Sequence, residues 1–257
     1  MTELVKPSTE YNRRVAIIET PVEIIKFFGY PRSTVYIRRC EEIRSLGFEK
    51  GSPCSLKHEA AGRIRFFSDE KMFTVDAKVN DRWLTHNPED VPVVGKTKFP
   101  ASVHVLSVVS SEGDVMPPYF FQKGETVTKK VYLEVLKTVI KPWMETMASG
   151  RPYLFQQDGA PAHTSHFVQN WLSDNVDMFW SKDFWPPNSP DLNSLDYYVW
   201  GIIERHTNKC RHPNINSLRA AIESEFTAMK CDQLKSACSP FRARIEQVIE
   251  AQGGYIE

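Results

Sequence analysis

The sequence predicts an α/β fold: a mixed sheet flanked by helices, preceded by a small helical unit. Three observations support this. Residues 64–75 and 101–110 are rich in Phe, Ile and Val and have the look of strands. From residue 126 onward helical and strand patterns alternate, as they do when helices pack on a sheet. Residues 11–46 carry their apolar side chains at helical spacing instead.

Composition sets the bounds. A chain of 257 residues suits one large domain, or a medium one with a small one. With 41% hydrophobic and 25% charged residues it builds an ordinary core without staples. Lys+Arg and Asp+Glu both number 32, so whole-chain charge does not announce a nucleic-acid binder and local charge has to be read. The five cysteines are odd in number and lack C-x-x-C spacing, which argues against a disulfide framework or a zinc ribbon. Residues 1–6 have no apolar signal-peptide core, and the charge-free stretch 99–111 is too short and polar to span a bilayer. The expectation is an intracellular protein with no membrane partner.

The elements follow in order. Val15, Ile17 and Ile18 form a first apolar patch. Pro21 opens a second helix with Ile24, Ile25 and Phe28, and Gly29-Tyr30-Pro31 ends it. Ser33 caps a third helix through Val35, Tyr36 and Ile43. Helix, glycine-containing turn and helix make a helix-turn-helix plan over residues 1–46. From Lys26 to Leu46 five basic residues meet two acidic ones, a balance of +3 that suits a helix meant for the major groove. A solvated hairpin with ordinary surface arginines explains the same pattern. Residues 47–61 read as a junction around Gly51-Ser52-Pro53. Residues 62–257 then form the main domain. It has strands near 64–75, 101–110, 153–157 and 176–180, a Pro-containing loop over 85–100, and helices over 126–147, 165–172 and 191–206. The remainder, 217–251, is helical with breaks near Cys231 and Pro240, and Gly253-Gly254 closes it.

Three carboxylates stand out. Asp158 ends a hydrophobic strand just before Gly159 and Pro161, at the kind of strand end where α/β proteins place functional groups. Asp69 sits with Glu70 inside an aromatic strand, and alternation lets only one of the two face inward. Asp196 falls at helical steps from Val199, Trp200 and Ile203, a stripe that should pack on the sheet. Asp191 is read as the N-cap of that helix, and Glu204 as a weaker substitute for Asp196. A carboxylate on a buried face calls for a partner. Two divalent cations about 3.5–4 Å apart, shared by three acids, would supply one and would suit phosphoryl transfer.

The blocks Ser68-Asp69-Glu70-Lys71, Gln157-Asp158-Gly159-Ala160-Pro161-Ala162-His163 and Pro187-Asn188-Ser189-Pro190-Asp191-Leu192-Asn193-Ser194-Leu195-Asp196-Tyr197 resemble the catalytic blocks of mariner-type transposases. So does the C-terminal run from Arg244 to Glu257, and 37 residues (159–195) separate the last two acids, as in relatives whose third acid is Asp. The resemblance implies a ribonuclease-H-like catalytic domain, Mg²⁺ or Mn²⁺ as a pair of ions, and Asp69, Asp158 and Asp196 as catalytic metal ligands. It also implies cutting and joining of double-stranded DNA at the terminal inverted repeats of the chain's own element, a homodimer, and work in the nucleus. The segment from Ile24 to Tyr36 resembles the family's first helix-turn-helix, which makes Arg32, Ser33, Thr34, Arg38 and Arg39 the candidates for DNA contact. His163, five residues past Asp158, is a further candidate, either near the scissile strand or as a core histidine. The loop over 76–100 resembles the clamp loop that reaches across to a partner subunit. Family members usually carry a second helix-turn-helix unit and a linker, but only about twenty residues separate Leu46 from Asp69. Ser194 stands where the family often has proline. The alternative is a catalytically incompetent or host-adopted DNA-binding relic of a transposase.

Overall fold

A computed structural model describes residues 41, 63–76, 97–182, 185, 189–251 and 256. The expected helix-turn-helix with Arg32, Ser33, Thr34, Arg38 and Arg39, the junction 47–61, most of the clamp-like loop and Gly253-Gly254 lie outside the described residues.

Among the described residues four strands form one mixed sheet in the order β3-β2-β1-β4. Strand β1 (Ile64–Thr74) pairs antiparallel with β2 (Ser102–Ser110), and β2 pairs antiparallel with the short β3 (Tyr119–Phe120). On its other side β1 runs parallel to β4 (Tyr153–Gln156). The expected strand at 176–180 contributes one parallel bridge, Phe155 to Phe179.

Alternation along the strands divides the core. Phe67, Phe73, Val105 and Leu154 face one side, against Trp180, Trp185, Trp200 and the C-terminal helices. Phe66, Leu106, Val108 and Phe155 face the other, against the helices between β3 and β4 and the helix after β4. Both faces are covered.

The helix expected over 126–147 is α1 (Lys129–Val135) and α2 (Lys141–Ala148), joined by a π-helical turn, Leu136–Ile140. Thr128 caps α1. Helix α3 (His166–Asn175) follows β4. The helix expected over 191–206 is broken into a 3-10 turn (Pro190–Leu192), a π-helical turn (Leu195–Val199) and α4 (Trp200–Thr207). Asp191 lies inside the 3-10 turn and is not an N-cap. Helices α5 (Ile215–Ala228), α6 (Cys231–Cys238) and α7 (Phe241–Glu250) follow, broken near Cys231 and Pro240 as expected.

Candidate active site

Strands β1 and β4 carry the first two acids to the same level. Their parallel register runs from Ile64 opposite Tyr153 to Phe67 opposite Gln156. Asp69 and Asp158 each lie two residues beyond that last pair, where β4 has stopped and the side chains of neighbouring strands project about 4.8 Å apart. Asp196 arrives from the π-helical turn. The three acids line one cleft of about 430 Å³, with Glu70, Gly159, Trp185, Ser189, Pro190 and Asn193.

Two buried side chains tie the acid-bearing segments together. Ser68 Oγ donates to the Gln156 carbonyl at 2.8 Å, joining β1 to β4 beside Asp69 and Asp158. Asn193 Nδ2 donates to the Ser68 carbonyl at 3.0 Å, and Asn193 Oδ1 accepts from the Leu195 N–H at 3.1 Å. One asparagine therefore both starts the turn that carries Asp196 and fixes it to β1.

The π turn alters the expected place of Asp196. Leu195, Val199, Trp200 and Ile203 are fully buried, but Asp196 is exposed at the cleft. A π turn holds more residues per turn than an α-helix, so Asp196 is rotated off the apolar stripe. Glu204, its expected substitute, is ion-paired with Lys71 at 3.2 Å and is not part of the cleft wall among the described residues. Glu70, beside Asp69 on β1, lines the same cleft and reaches His163 Nε2 at 3.1 Å.

Charge is concentrated here. Burial pushes the Asp69 carboxyl up to about 8, and the nearby Asp196 and Asp158 add to it against the hydrogen bond from Trp200. Trp200 Nε1 donates to Asp69 Oδ2 at 2.5 Å. Partial desolvation lifts Asp196 to about 6, opposed by Lys71 and reinforced by Asp158 and Asp191. For Asp158 burial acts upward, but the His163 hydrogen bond and charge and the Ala160 N–H prevail and hold it below the usual carboxylate range. Burial would lower His163, but hydrogen bonds to Asp158 and Glu70 raise it to about 9. Among the described residues no three His, Cys, Asp or Glu side chains close around a common point able to hold a metal ion. Asp158 is held by His163, and Asp69 by Trp200. The donor set is nonetheless all carboxylate oxygen at the mouth of a cleft, the chemistry that hard divalent cations take.

Residues 65–219 match the model of the DDE superfamily endonuclease family. The chain belongs to that family. Among curated relatives, this DDE endonuclease is 27% identical over 197 residues to the Tcb2 transposase of Caenorhabditis briggsae, covering 73% of this chain and 67% of the relative. It is 31% identical over 129 residues to the Tcb1 transposase of the same organism, covering 50% of this chain and 45% of the relative. Among solved structures, the Mos1 mariner paired-end complex with Mn superposes with a TM-score of 0.72 at 19% identity, over 88% of this chain and 64% of that one. The isolated Mos1 catalytic domain gives 0.62 at 19% identity, over 88% of this chain and 96% of that one. The fold is thus ribonuclease-H-like, as expected, and the resemblance to mariner-type transposases stands. The chain spans 67% of the length of the Tcb2 relative and 45% of that of Tcb1.

Trp200, Asn193 and Ser68 were not singled out as site residues from the DDE sequence, although all three lie inside or beside the acid blocks. Trp200 looks like any core tryptophan until its indole N–H is seen on Asp69. A buried Asn at a helix break is a signal that sequence does offer.

Proposed function

We propose that the chain is a mariner-type, metal-dependent transposase that cuts and joins DNA at transposon ends. The observation that carries this is the meeting of Asp69, Asp158 and Asp196, from three separate elements, in one cleft of a DDE endonuclease fold. Asp69, Asp158 and Asp196 would hold Mg²⁺ or Mn²⁺ as two ions. When bound, such ions supply an activated hydroxyl nucleophile and neutralise the departing oxygen. The chain's own residues do the rest. Asn193 and Ser68 set the spacing of the acids, and Trp200 fixes the Asp69 carboxyl. Three carboxylates alone would repel a phosphate, so the residues of this cleft call for cations before a DNA strand can approach.

The same reading assigns terminal inverted repeats as the DNA partner, through Arg32, Ser33, Thr34, Arg38 and Arg39, and gives residues 1–46 and 62–257 separate tasks. It also carries a homodimer and a nuclear location. The Tcb2 and Tcb1 transposases and the Mos1 paired-end complex with Mn support it by likeness.

A nicking assay tests it. The full chain is incubated with a plasmid bearing the ends of its element and Mg²⁺ or Mn²⁺. Cleavage is expected with metal, none with chelator, and none by Asp158→Ala. Metal-dependent cleavage absent from the unmutated chain would leave the DNA-binding relic as the reading.

A further inference from the structure

His163 is buried, and both of its ring nitrogens are engaged. Nδ1 hydrogen-bonds Asp158 Oδ1, and Nε2 lies 3.1 Å from Glu70 Oε1. One face of the ring lies on Tyr132, with centroids 3.8 Å apart. The His163 carbonyl accepts from Gln157 Nε2 at 3.3 Å and from Gln169 Nε2 at 2.9 Å. Gln157 Oε1 in turn accepts the Tyr132 hydroxyl at 2.9 Å. Backbone, ring face and both ring nitrogens are therefore all restrained, and the histidine is 3% exposed, which leaves it no open path to a DNA strand.

The bonds to Asp158 are one-sided. The Ala160 N–H also reaches Oδ1, at 3.0 Å. Both hydrogen bonds load the same oxygen, and none from the described residues falls on Oδ2. A carboxylate held this way has a fixed rotamer and one oxygen to offer.

We infer that Glu70 and His163 form a carboxylate–imidazole clasp that fixes Asp158 through Oδ1 and presents its Oδ2 to a divalent cation. His163 is thus a positioning residue: it acts through Asp158 and does not touch the substrate. The inference rests on the proposed reading of Asp158 as a metal-holding acid. Partners that orient a metal ligand from behind typically change metal affinity about 10–100-fold when removed.

His163→Phe keeps a ring on Tyr132 and removes both donors. His163→Asn returns a donor near the Nδ1 position alone. Mn²⁺ binding to the full chain is read by electron paramagnetic resonance of free Mn²⁺, with folding checked by thermal unfolding. His163→Phe is expected to unfold cooperatively and to bind Mn²⁺ about 10–100-fold more weakly, with most of the loss recovered in His163→Asn. Should His163→Phe not fold, Glu70→Ala frees Nε2 at the cleft edge and is expected to weaken Mn²⁺ binding about 10-fold. A folded His163→Phe chain, or failing that a Glu70→Ala chain, that binds Mn²⁺ as tightly as the unmutated protein overturns the clasp. Asp158→Ala separates the two readings. If it abolishes binding while the His163 and Glu70 variants do not, only the clasp fails; if it too leaves affinity unchanged, the assignment of Asp158 fails with it.

Discussion

The carboxyl of Asp69 moves from an ordinary value of 3.8 to about 8 in the folded chain, through burial first and then through Asp196 and Asp158. Between those values the folded state holds a proton that the unfolded state releases, so stability falls as pH rises through this window. Asp196, lifted to about 6, acts with the same sign over the lower part, and His163, raised from 6.5 to about 9, over the upper part. Asp158 is lowered and acts oppositely, but only below the usual carboxylate range. The metal-free protein should therefore lose stability from about pH 5 to about pH 8.5 through these groups. Divalent cations take deprotonated acids, so added Mg²⁺ should restore more stability at the higher pH. The expected result is a rise in melting temperature on adding Mg²⁺ that is a few degrees larger at about pH 8.5 than at about pH 6. Equal rises at both would show that protons and metal do not compete at Asp69.

At the scale of elements, the site depends on how three segments are joined. Asn193 is 2% exposed and serves two segments at once. Replacing it by alanine leaves the Ser68 carbonyl and the Leu195 N–H without their partner, and a buried polar group left unpaired costs about 1–3 kcal/mol. Asn193→Ala should thus lose about 2–3 kcal/mol in urea unfolding and cleave more slowly even where it remains folded. A loss below about 0.5 kcal/mol would mean that the tie is replaced by solvent. This joint is also where local sequence signals end. Strands β1, β2 and β4 and the breaks near Cys231 and Pro240 were legible because alternation, β-branched residues and proline act locally. The three acid blocks were legible as a resemblance. The exposure of Asp196 was not, because steps of three and four assume an α-helix, whereas Leu195–Val199 is a π-helical turn. The strand expected at 176–180 shrank to one bridge, with the Tyr153 N–H taken by the Asp177 side chain at 2.9 Å. His163 left two roles open because its partners, Glu70 and Tyr132, lie far away in sequence.

At the scale of the whole molecule, the sheet is covered on both faces by helices from its own segment, with Trp180, Trp185 and Trp200 on one side and Tyr132, Leu136 and Met144 on the other. A sheet buried this way needs no further layer. A chain of residues 62–257 should accordingly fold alone, with one cooperative unfolding transition. The proposed division of labour makes a sharper claim about its DNA. The segment from Lys26 to Leu46 carries a charge balance of +3, and on the proposed reading its loss would remove both phosphate contacts and groove contacts. Residues 62–257 should then keep metal-dependent nicking of any plasmid, while losing preference for transposon ends. In gel-shift titrations the full chain should bind end DNA more tightly than unrelated DNA, with affinity falling as salt rises. The shortened chain should bind both equally and weakly. If it still prefers end DNA, recognition lies in the DDE domain, and Arg32, Ser33, Thr34, Arg38 and Arg39 are not the residues that read it.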